Sequence, residues 1–340
     1  MNLDGLYQLV VCAAVHVWLL TPSCQAADAD LLLRVVDVGA GECCIAKLPG
    51  GHYIIYDAGN YQDGGKSALK AIHEFIPKGS DIELLVLSHT DADHVAAVPG
   101  ICADYHVKRA IRSGFARDTD NWRNALAALK EEHDSEGALD INLAEEALPP
   151  GATYQFGETF ATMVSGFSFP PDDWDLDDEP ERMNAGSIVI RLLYRGRSII
   201  LCGDAVGRHI GDPDNTCLAT EKYMLDRAPA VPIDSDVLVA PHHGADNGSS
   251  APFIKAVSPE FVIFSAGHRH AHPRADAVQR YLDSGMAATR IFRTDLGDDE
   301  GVKEWDGGRV PALKDGRGDD DIDVVITSDG KVSVAYRSQN

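Results

Sequence analysis

The sequence is short of basic residues. Its 340 residues include 30 lysines and arginines against 53 aspartates and glutamates, so the formal net charge is −23 at pH 7. A protein that binds a nucleic-acid backbone needs clustered positive charge, and an acid excess of this size repels a polyanion on average. The charge therefore disfavours long nucleic acid as a partner. With 44% hydrophobic residues, the composition is that of a globular protein and not of a disordered chain.

The sequence also lacks a cysteine framework. Its seven cysteines include no Cys-x-x-Cys pair, which excludes a zinc ribbon and argues against a dense disulfide scaffold. One bridge, between Cys202 and Cys217, is an open alternative for an exported protein.

Long apolar runs are absent as well. The run over residues 9–20 is too short to cross a bilayer comfortably, since a spanning helix needs about 20 residues. Small residues follow it, as at a signal-peptidase site near Ala26 or Ala27, although no lysine or arginine precedes it. We predict a signal peptide over residues 1–26, a secreted or periplasmic protein without a transmembrane domain, and a single domain over residues 30–340. A short buried helix or an N-terminal anchor is the alternative.

Short apolar and β-branched runs alternate with turns along the chain. Residues 31–38, 43–48 and 52–57 predict a three-strand meander. Apolar residues at helical spacing over 67–76 predict a helix that covers the sheet, and the apolar run 82–88 predicts a buried strand. Strands and helices continue to recur towards the C-terminus. We therefore predict an α/β (α+β) fold with two packed sheets and helices outside.

Two segments concentrate the acidic residues. They span residues 171–181 and 316–323. Blocks of like charge usually extend into water, which predicts solvated loops. Calcium sites are the alternative, but neither segment has the residue spacing of a calcium-binding loop.

Ligand-type side chains cluster directly after the strand that ends at residue 88. His89, Asp91, Asp93 and His94 stand within six residues. Imidazole nitrogens and carboxylates are ligands of borderline divalent metals. A turn can direct the first two side chains to one ion and the last two to a neighbouring ion. An ordinary helix start with Asp as the N-cap would explain one His and one Asp, but not all four.

Two later strands also end in ligand-type residues. The strand over 198–202 is followed by Gly203 and Asp204, and the strand over 236–240 is followed by Pro241, His242 and His243. Each ending alone is weak, because Gly-Asp commonly forms a turn and histidine is often exposed. Together, three such strand ends indicate a metal site at one sheet edge.

The order of these motifs resembles the metallo-β-lactamase fold superfamily, and within it the ComEC-like branch of metallo-hydrolases. The resemblance covers about residues 31–295. The segments Val36–Glu42 and Tyr56–Gly59 also match that branch. The remaining elements that carry the resemblance are His89–His94, Asn184 with Ser187, Asp204, His242–Gly244, Ser265–Gly267 and His272–Pro273.

The resemblance implies an αββα sandwich of two mixed sheets that holds one or two Zn²⁺ ions, with Mn²⁺ as the alternative. His89 and Asp91 would bind one ion, Asp93 and His94 the other. Asp204 would bridge them and His242 would complete the second ion's ligands. The superfamily commonly has a further histidine ligand in mid-chain, where this sequence offers only Asn184.

The implied function is a metal-dependent hydrolase that uses a metal-activated water on a phosphodiester or other small ester. Asp93 and His272 are the candidate catalytic residues. Arg269 and Arg274 would add local positive charge. The alternatives are a lactone, lactam or thioester hydrolase of the same fold, or a non-catalytic metal-binding protein. Substrate contacts are expected from Asn184, His243, His270 and His272, with His243 as an alternative metal ligand.

Overall fold

The computed structural model describes residues 29–60, 63–115, 117–267, 270–295 and 320–337. The segment predicted as a signal peptide lies outside the described residues, as does the first half of the acidic segment 316–323. Within the described ranges, no helix combines the length and the apolar character that a membrane span requires.

The described chain contains sixteen strands and eight α-helices. The strands are β1 (Leu31–Val35), β2 (Cys43–Leu48), β3 (His52–Ala58), β4 (Asp81–Leu87), β5 (His106–Val107), β6 (Arg109–Arg112), β7 (Leu139–Asn142), β8 (Thr153–Phe156), β9 (Thr159–Ser165), β10 (Val189–Tyr194), β11 (Arg197–Leu201), β12 (Val237–Val239), β13 (Phe261–Phe264), β14 (Ile291–Arg293), β15 (Ile322–Ile326) and β16 (Val332–Tyr336). The helices are α1 (Lys66–Phe75), α2 (Ala92–Val95), α3 (Val98–Asp104), α4 (Asp120–Glu136), α5 (Glu179–Ala185), α6 (Ala219–Arg227), α7 (Ala251–Val257) and α8 (Ala275–Asp283).

These strands form two mixed sheets. The first runs in the order β16-β15-β1-β2-β3-β4-β6-β7, with β5 also paired to β4. The second runs β14-β13-β12-β11-β10-β9-β8. The predicted meander is the antiparallel set β1 to β3, and β4 then pairs in parallel with β3 and β6. In the second sheet, β11 to β14 are all parallel neighbours. The predicted fold class is confirmed.

The core has three apolar layers, because strands such as β4 are buried on both faces. Leu84 and Val86 point into the cluster between the sheets, whereas Leu85 and Leu87 point into the cluster beneath α1, α3 and α4. A third cluster packs α6, α7 and α8 on the other sheet. Each fully buried Leu, Ile or Phe contributes about 1.5–3 kcal/mol relative to an exposed one. The layers are therefore helix, sheet, sheet, helix.

The sandwich brings the ligand-type motifs to one edge. Parallel strands have their carboxyl ends at the same edge of a sheet, and the loops after β4, β11 and β12 carry the polar residues singled out above. Close packing fixes this edge: a Cβ atom built on Gly59 would lie 2.0 Å from the carbonyl carbon of Asp93. Only glycine at this position lets β3 approach the backbone of the His89–His94 motif so closely.

The structure does not contain the Cys202–Cys217 disulfide that the sequence allowed as an alternative. Cys202 is buried and Cys217 is half-buried, and both are free thiols. A structural role for a disulfide is thus excluded at this pair, and the fold depends on its apolar layers.

Candidate metal centre

The His89–His94 motif continues from β4 into the short helix α2. Asp91 stands at the N-cap position of α2, yet its side chain makes no capping hydrogen bond. Its carboxylate instead forms an ion pair with Arg117 and lies 3.7 Å from Nε2 of His89. The ordinary N-cap explanation therefore fails for this side chain, which faces the cluster instead.

Asp204 lies at the centre of four histidines. Its Oδ1 atom lies 3.3 Å from Nε2 of His94 and 3.3 Å from Nε2 of His243. Its Oδ2 atom lies 3.4 Å from Nε2 of His242 and 3.6 Å from Nε2 of His89. The carboxylate thus presents one oxygen to each of two histidine pairs, and only 4% of the residue is exposed.

A further carboxylate accompanies each histidine pair. Asp91 lies beside His89, as described, and Oδ2 of Asp93 lies 3.7 Å from Nε2 of both His94 and His243. Two groups result. The Oδ2 group contains His89, Asp91 and His242, and the Oδ1 group contains Asp93, His94 and His243.

The two consecutive histidines differ from the expectation. The sequence interpretation assigned His242 to the same ion as Asp93 and His94, whereas in the structure it is His243 that lies beside these two side chains. Both residues have positive φ angles, 50° and 55°, which only a few per cent of non-glycine residues adopt. This left-handed turn sends the neighbouring side chains to different oxygens of Asp204. Only the backbone conformation of the turn reveals this division.

All four histidines are held by the nitrogen that faces away from Asp204. Nδ1 lies 2.8 Å from Oδ2 of Asp57 in His94 and 2.7 Å from Oδ1 of Asn247 in His242. In His243 it lies 2.7 Å from the carbonyl oxygen of Ser265, and in His89 it lies 3.0 Å from Oγ of Ser88. An imidazole that donates through Nδ1 keeps its Nε2 lone pair free for a metal.

Several buried polar atoms at this site have no hydrogen-bond partner among the described residues. They are Nε2 of His89, Oδ1 of Asp93, Oδ1 of Asn184 and Oδ1 of Asp204. Buried polar groups are normally paired, and each unpaired one costs about 1–3 kcal/mol. Nitrogen and carboxylate oxygen donors that converge without partners fit a divalent metal ion. The ligand atoms of His89, His94 and Asp204 lie within 4.8 Å of one another, as do those of Asp93, His94 and His243.

The family comparison agrees with this geometry. The family model for the metallo-beta-lactamase superfamily matches residues 38–268. The chain belongs to the metallo-beta-lactamase superfamily.

The chain is also similar to two curated proteins, which supports the resemblance to the ComEC-like branch. It is 24% identical over 302 residues to ComE operon protein 3 of Bacillus subtilis, covering 84% of this chain and 34% of that protein. It is 30% identical over 132 residues to competence protein ComA of Neisseria gonorrhoeae, covering 38% of this chain and 16% of that protein. The chain therefore spans about a third or less of the length of these relatives.

Solved structures of similar fold include two metalloproteins. Igni18, a metallo hydrolase from the archaeon Ignicoccus hospitalis, aligns with a TM-score of 0.46 at 11% identity, covering 90% of this chain and 100% of that chain. CmlA, a diiron β-hydroxylase from Streptomyces venezuelae, aligns with a TM-score of 0.44 at 14% identity, covering 77% of this chain and 52% of that chain.

In this member of the superfamily, the predicted substrate-contact residues line a cleft of about 990 Å³ beside the metal-ligand candidates. Nδ2 of Asn184 lies 3.3 Å from Nε2 of His242. The ring centroid of His272 lies 5.8 Å from that of His242, and the centroid of His270 lies 6.0 Å from that of His272. His270 is therefore the residue of this set that lies farther out along the cleft.

Mutual electrostatics set the protonation of the cluster. Burial opposes the charged form of Asp204, yet the surrounding histidines hold its pKa well below the usual value. Burial likewise opposes the charge of His94, but three carboxylates raise its pKa well above the ordinary range. Burial raises the pKa of Asp93 to about 6 and lowers that of His243 to about 4. Burial and two neighbouring histidines hold the pKa of His272 well below its usual value, so this imidazole is neutral.

Three residues at the site received no role from the sequence. Asp57, at the end of β3, also accepts hydrogen bonds from the backbone N–H of Ser88 at 2.7 Å and from its hydroxyl at 2.5 Å. Glu42 is fully buried, and burial together with Asp57 raises its pKa well above the usual value. Both lie in segments that matched the ComEC-like branch. Asn247, which orients His242, carried no sequence signal.

Proposed function

We propose that this protein is a metal-dependent hydrolase of phosphodiesters or other small esters, exported from the cytoplasm, that binds two divalent ions. The observation that carries the proposal is the arrangement of the four histidines. Each is anchored through Nδ1 and turns Nε2 towards a different side of one buried carboxylate. No structural role requires four imidazoles to converge in this way.

The proposed ligands follow the two oxygens of Asp204. His89, Asp91, His242 and Oδ2 of Asp204 would hold one ion, and Asp93, His94, His243 and Oδ1 of Asp204 would hold the other. In this assignment, His242 supplies the donor for which the sequence offers no mid-chain histidine.

The two groups of ligand candidates support two ions over one. The carboxyl groups of Glu42, Asp57, Asp93 and Asp204 are also crowded together out of water, since each residue is at most 6% exposed. Buried charges are costly unless they are paired or bind metals. The Oδ1 group and the Oδ2 group each bring two histidines and one further carboxylate to a separate oxygen of Asp204, so each group can hold one ion. Mixed histidine and carboxylate donors suit Zn²⁺, with Mn²⁺ as the alternative.

A divalent ion held here would lower the pKa of a bound water and polarise the scissile oxygen of an ester. The residues of the chain have separate tasks. Oδ1 of Asp93 has no hydrogen-bond partner among the described residues, so it can orient the attacking water. The neutral imidazole of His272 can donate a hydrogen bond to a substrate oxygen. Asn184 offers an amide to the same cleft.

The experiment compares Asp204→Asn with the wild type after metal reconstitution. We expect about two zinc or manganese ions per chain by elemental analysis, and cleavage of bis(p-nitrophenyl) phosphate by the wild type. The variant should lose more than about 100-fold in kcat/KM, because even outer partners of metal ligands are worth 10–100-fold. Asp226→Asn is the control, since Asp226 pairs with Lys222 on the exposed surface of α6.

Two results would contradict the proposal in different ways. A reconstituted wild type without bound metal would refute the metal centre and the hydrolase together. A metal-loaded protein that cleaves lactones or β-lactams but no phosphodiester would retain the centre and refute the substrate class.

A further inference from the structure

Arg274 differs from every other arginine in the described residues. Each of the others has a carboxylate within 4.0 Å or lies over the face of an aromatic ring, as Arg109 does over Tyr154. In the described part of the chain, Arg274 has neither contact. A chain with 23 excess acids offers abundant partners for a guanidinium, so this exception is informative.

Arg274 lines the same cleft as the metal-ligand candidates. It immediately precedes α8, and its backbone N–H donates to the carbonyl oxygen of Gly244 at 2.8 Å. That bond ties it to the turn that carries His242 and His243. The backbone of Arg274 is therefore placed by the candidate metal centre itself, while its guanidinium remains exposed.

The acids of the cleft do not neutralise this guanidinium. Asp246 also lines the cleft, but Arg208 and Arg280 contact its Oδ1 atom at 2.8 and 2.9 Å. Asp276 lines the cleft two residues after Arg274, and within the described residues no ion pair joins the two. Arg274 thus keeps its five N–H donors available for an anionic ligand.

The cleft also has an apolar part. Ile210 is 79% exposed, more than any other large hydrophobic side chain in the described ranges, and it lines the cleft. A volume of about 990 Å³ is at the upper end for small-molecule sites, which span about 300–1,000 Å³. The cleft is therefore larger than a single phosphate requires, and it offers a guanidinium and an apolar side chain to a ligand.

We propose that Arg274 is a specificity-determining residue that binds a second phosphate group of the substrate, apart from the ester that is cleaved, and that Ile210 contacts a ring of the same substrate. This inference rests on the proposed function, because it names the phosphodiester class that the metal centre would cleave. The class is a short phosphodiester with an additional phosphate. A guanidinium recognises phosphate by paired, charge-assisted hydrogen bonds.

The test uses two chromogenic esters that differ by one phosphate. They are thymidine 5′-(p-nitrophenyl phosphate) and the same ester with a 3′-phosphate. We expect the metal-loaded wild type to prefer the 3′-phosphorylated ester through a lower KM. Arg274→Ala should lose about 10- to 100-fold in kcat/KM on that ester alone, as expected for a hydrogen bond to a charged group. Arg274→Lys should recover part of the preference, because lysine keeps the charge without the paired geometry.

Two further variants separate specificity from structure. Arg290→Ala should leave the ratio between the esters unchanged, since Arg290 pairs with Glu260 just before the amino end of β14, away from the carboxyl ends that carry the site. Ile210→Ser should raise the KM for both esters by a similar factor, which should be smaller than the loss that Arg274→Ala causes on the 3′-phosphorylated ester. The proposal would be overturned if the wild type had the same kcat/KM on both esters. It would also be overturned if Arg274→Ala lowered kcat/KM equally on both.

Equilibrium binding distinguishes this proposal from the proposed function. Thymidine 3′,5′-bisphosphate should bind the metal-loaded wild type about 10- to 100-fold more tightly than Arg274→Ala. If the bisphosphate binds in this way while neither ester is cleaved, the proposed phosphodiesterase is wrong, and Arg274 is a phosphate-binding residue without a role in substrate cleavage. If the esters are cleaved while bisphosphate binding is insensitive to Arg274, the role of Arg274 is wrong and the hydrolase stands.

Discussion

Two groups of buried charged side chains in this protein differ in where their hydrogen-bond and charge partners come from. Around Glu221, the chain supplies a partner to both carboxylate oxygens. The carboxylate of Glu221 accepts hydrogen bonds from the backbone N–H groups of Ser249 and Ser250 at 2.6 and 2.9 Å. The guanidinium of Arg280 donates to the carbonyl oxygens of Ser249 and Gly248 and to the carboxylate of Asp246.

Around Asp204, in contrast, the arginine that reaches the cluster pairs with Asp91, and no described arginine or lysine forms an ion pair with Asp93 or Asp204. Histidine Nε2 atoms converge on the Asp204 carboxylate, and Oδ1 of both Asp93 and Asp204 lacks a hydrogen-bond partner in the described residues. A buried polar network that the chain completes stabilises one native state. A buried network in which carboxylate oxygens lack partners indicates a bound ligand, because the compensating positive charge must come from outside the chain.

The largest effect is expected from Arg280→Ala. Removal of a buried guanidinium that makes these contacts should lower the free energy of unfolding by about 3–5 kcal/mol. Urea denaturation of the metal-loaded protein measures it, and the metal content per folded chain should not change. Arg290→Ala, at an exposed ion pair, should cost about 1 kcal/mol or less. A loss of metal that parallels the loss of stability would show that the two networks are one unit.

The pH dependence of the unfolding free energy tests the Glu221 network separately from the metal centre. Burial raises the pKa of Glu221 to about 7 from an ordinary value of 4.5. A carboxyl group with a raised pKa in the folded state favours folding fully below its unfolded pKa, and this contribution disappears as pH rises through the folded pKa. The wild type should therefore lose about 3 kcal/mol relative to Glu221→Gln between pH 4.5 and pH 7.

The measurement is the difference in urea unfolding free energy between these two proteins across that pH range. The titrating groups at the metal centre are common to both proteins and cancel in the difference. A difference that does not change with pH would show that Glu221 ionises normally in the folded protein.

A smaller effect is expected from Asp57→Asn. The variant keeps the size of the side chain but removes the charge that holds Nδ1 of His94. Metal affinity should fall about 10–100-fold, as for other partners that orient metal-ligating histidines. Competition with a chromophoric chelator measures it, and Asp226→Asn serves as the control. Unchanged affinity would mean that backbone packing alone positions His94.

Much of the fold could be predicted because its strands carry strong local patterns. The alternation of apolar residues and turns predicted the meander β1 to β3, and the continuous apolar run of β4 predicted burial on both faces. The rule that parallel strands share an edge accounts for the neighbouring ends of β11 and β12, whereas the end of β4 meets them because the two sheets pack together. The partition of His242 and His243 could not be predicted, because it depends on two positive φ angles in one turn.

The partners of the ligands were equally hidden. Asp57 and His94 are 37 positions apart, and His243 is fixed by a backbone carbonyl 22 positions away. The Glu221 network is built largely on backbone amides and carbonyls, which every residue has, so no residue type marks it in the sequence. Side-chain identity shows which atoms can bind, and tertiary contacts decide which atoms meet.

The position of Asp204 has a consequence for folding. Its carboxylate follows β11 of the second sheet, whereas His89 and His94 follow β4 of the first sheet. Ions bound here would connect the two halves of the sandwich, so that separation of the sheets would destroy the binding site. A ligand that binds only the folded state stabilises it by about 2.7 kcal/mol at 100 times its Kd. Metal supply would then stabilise the contact between the two sheets, in addition to their apolar packing and to hydrogen bonds such as the one from Tyr56 to the carbonyl oxygen of Ile188.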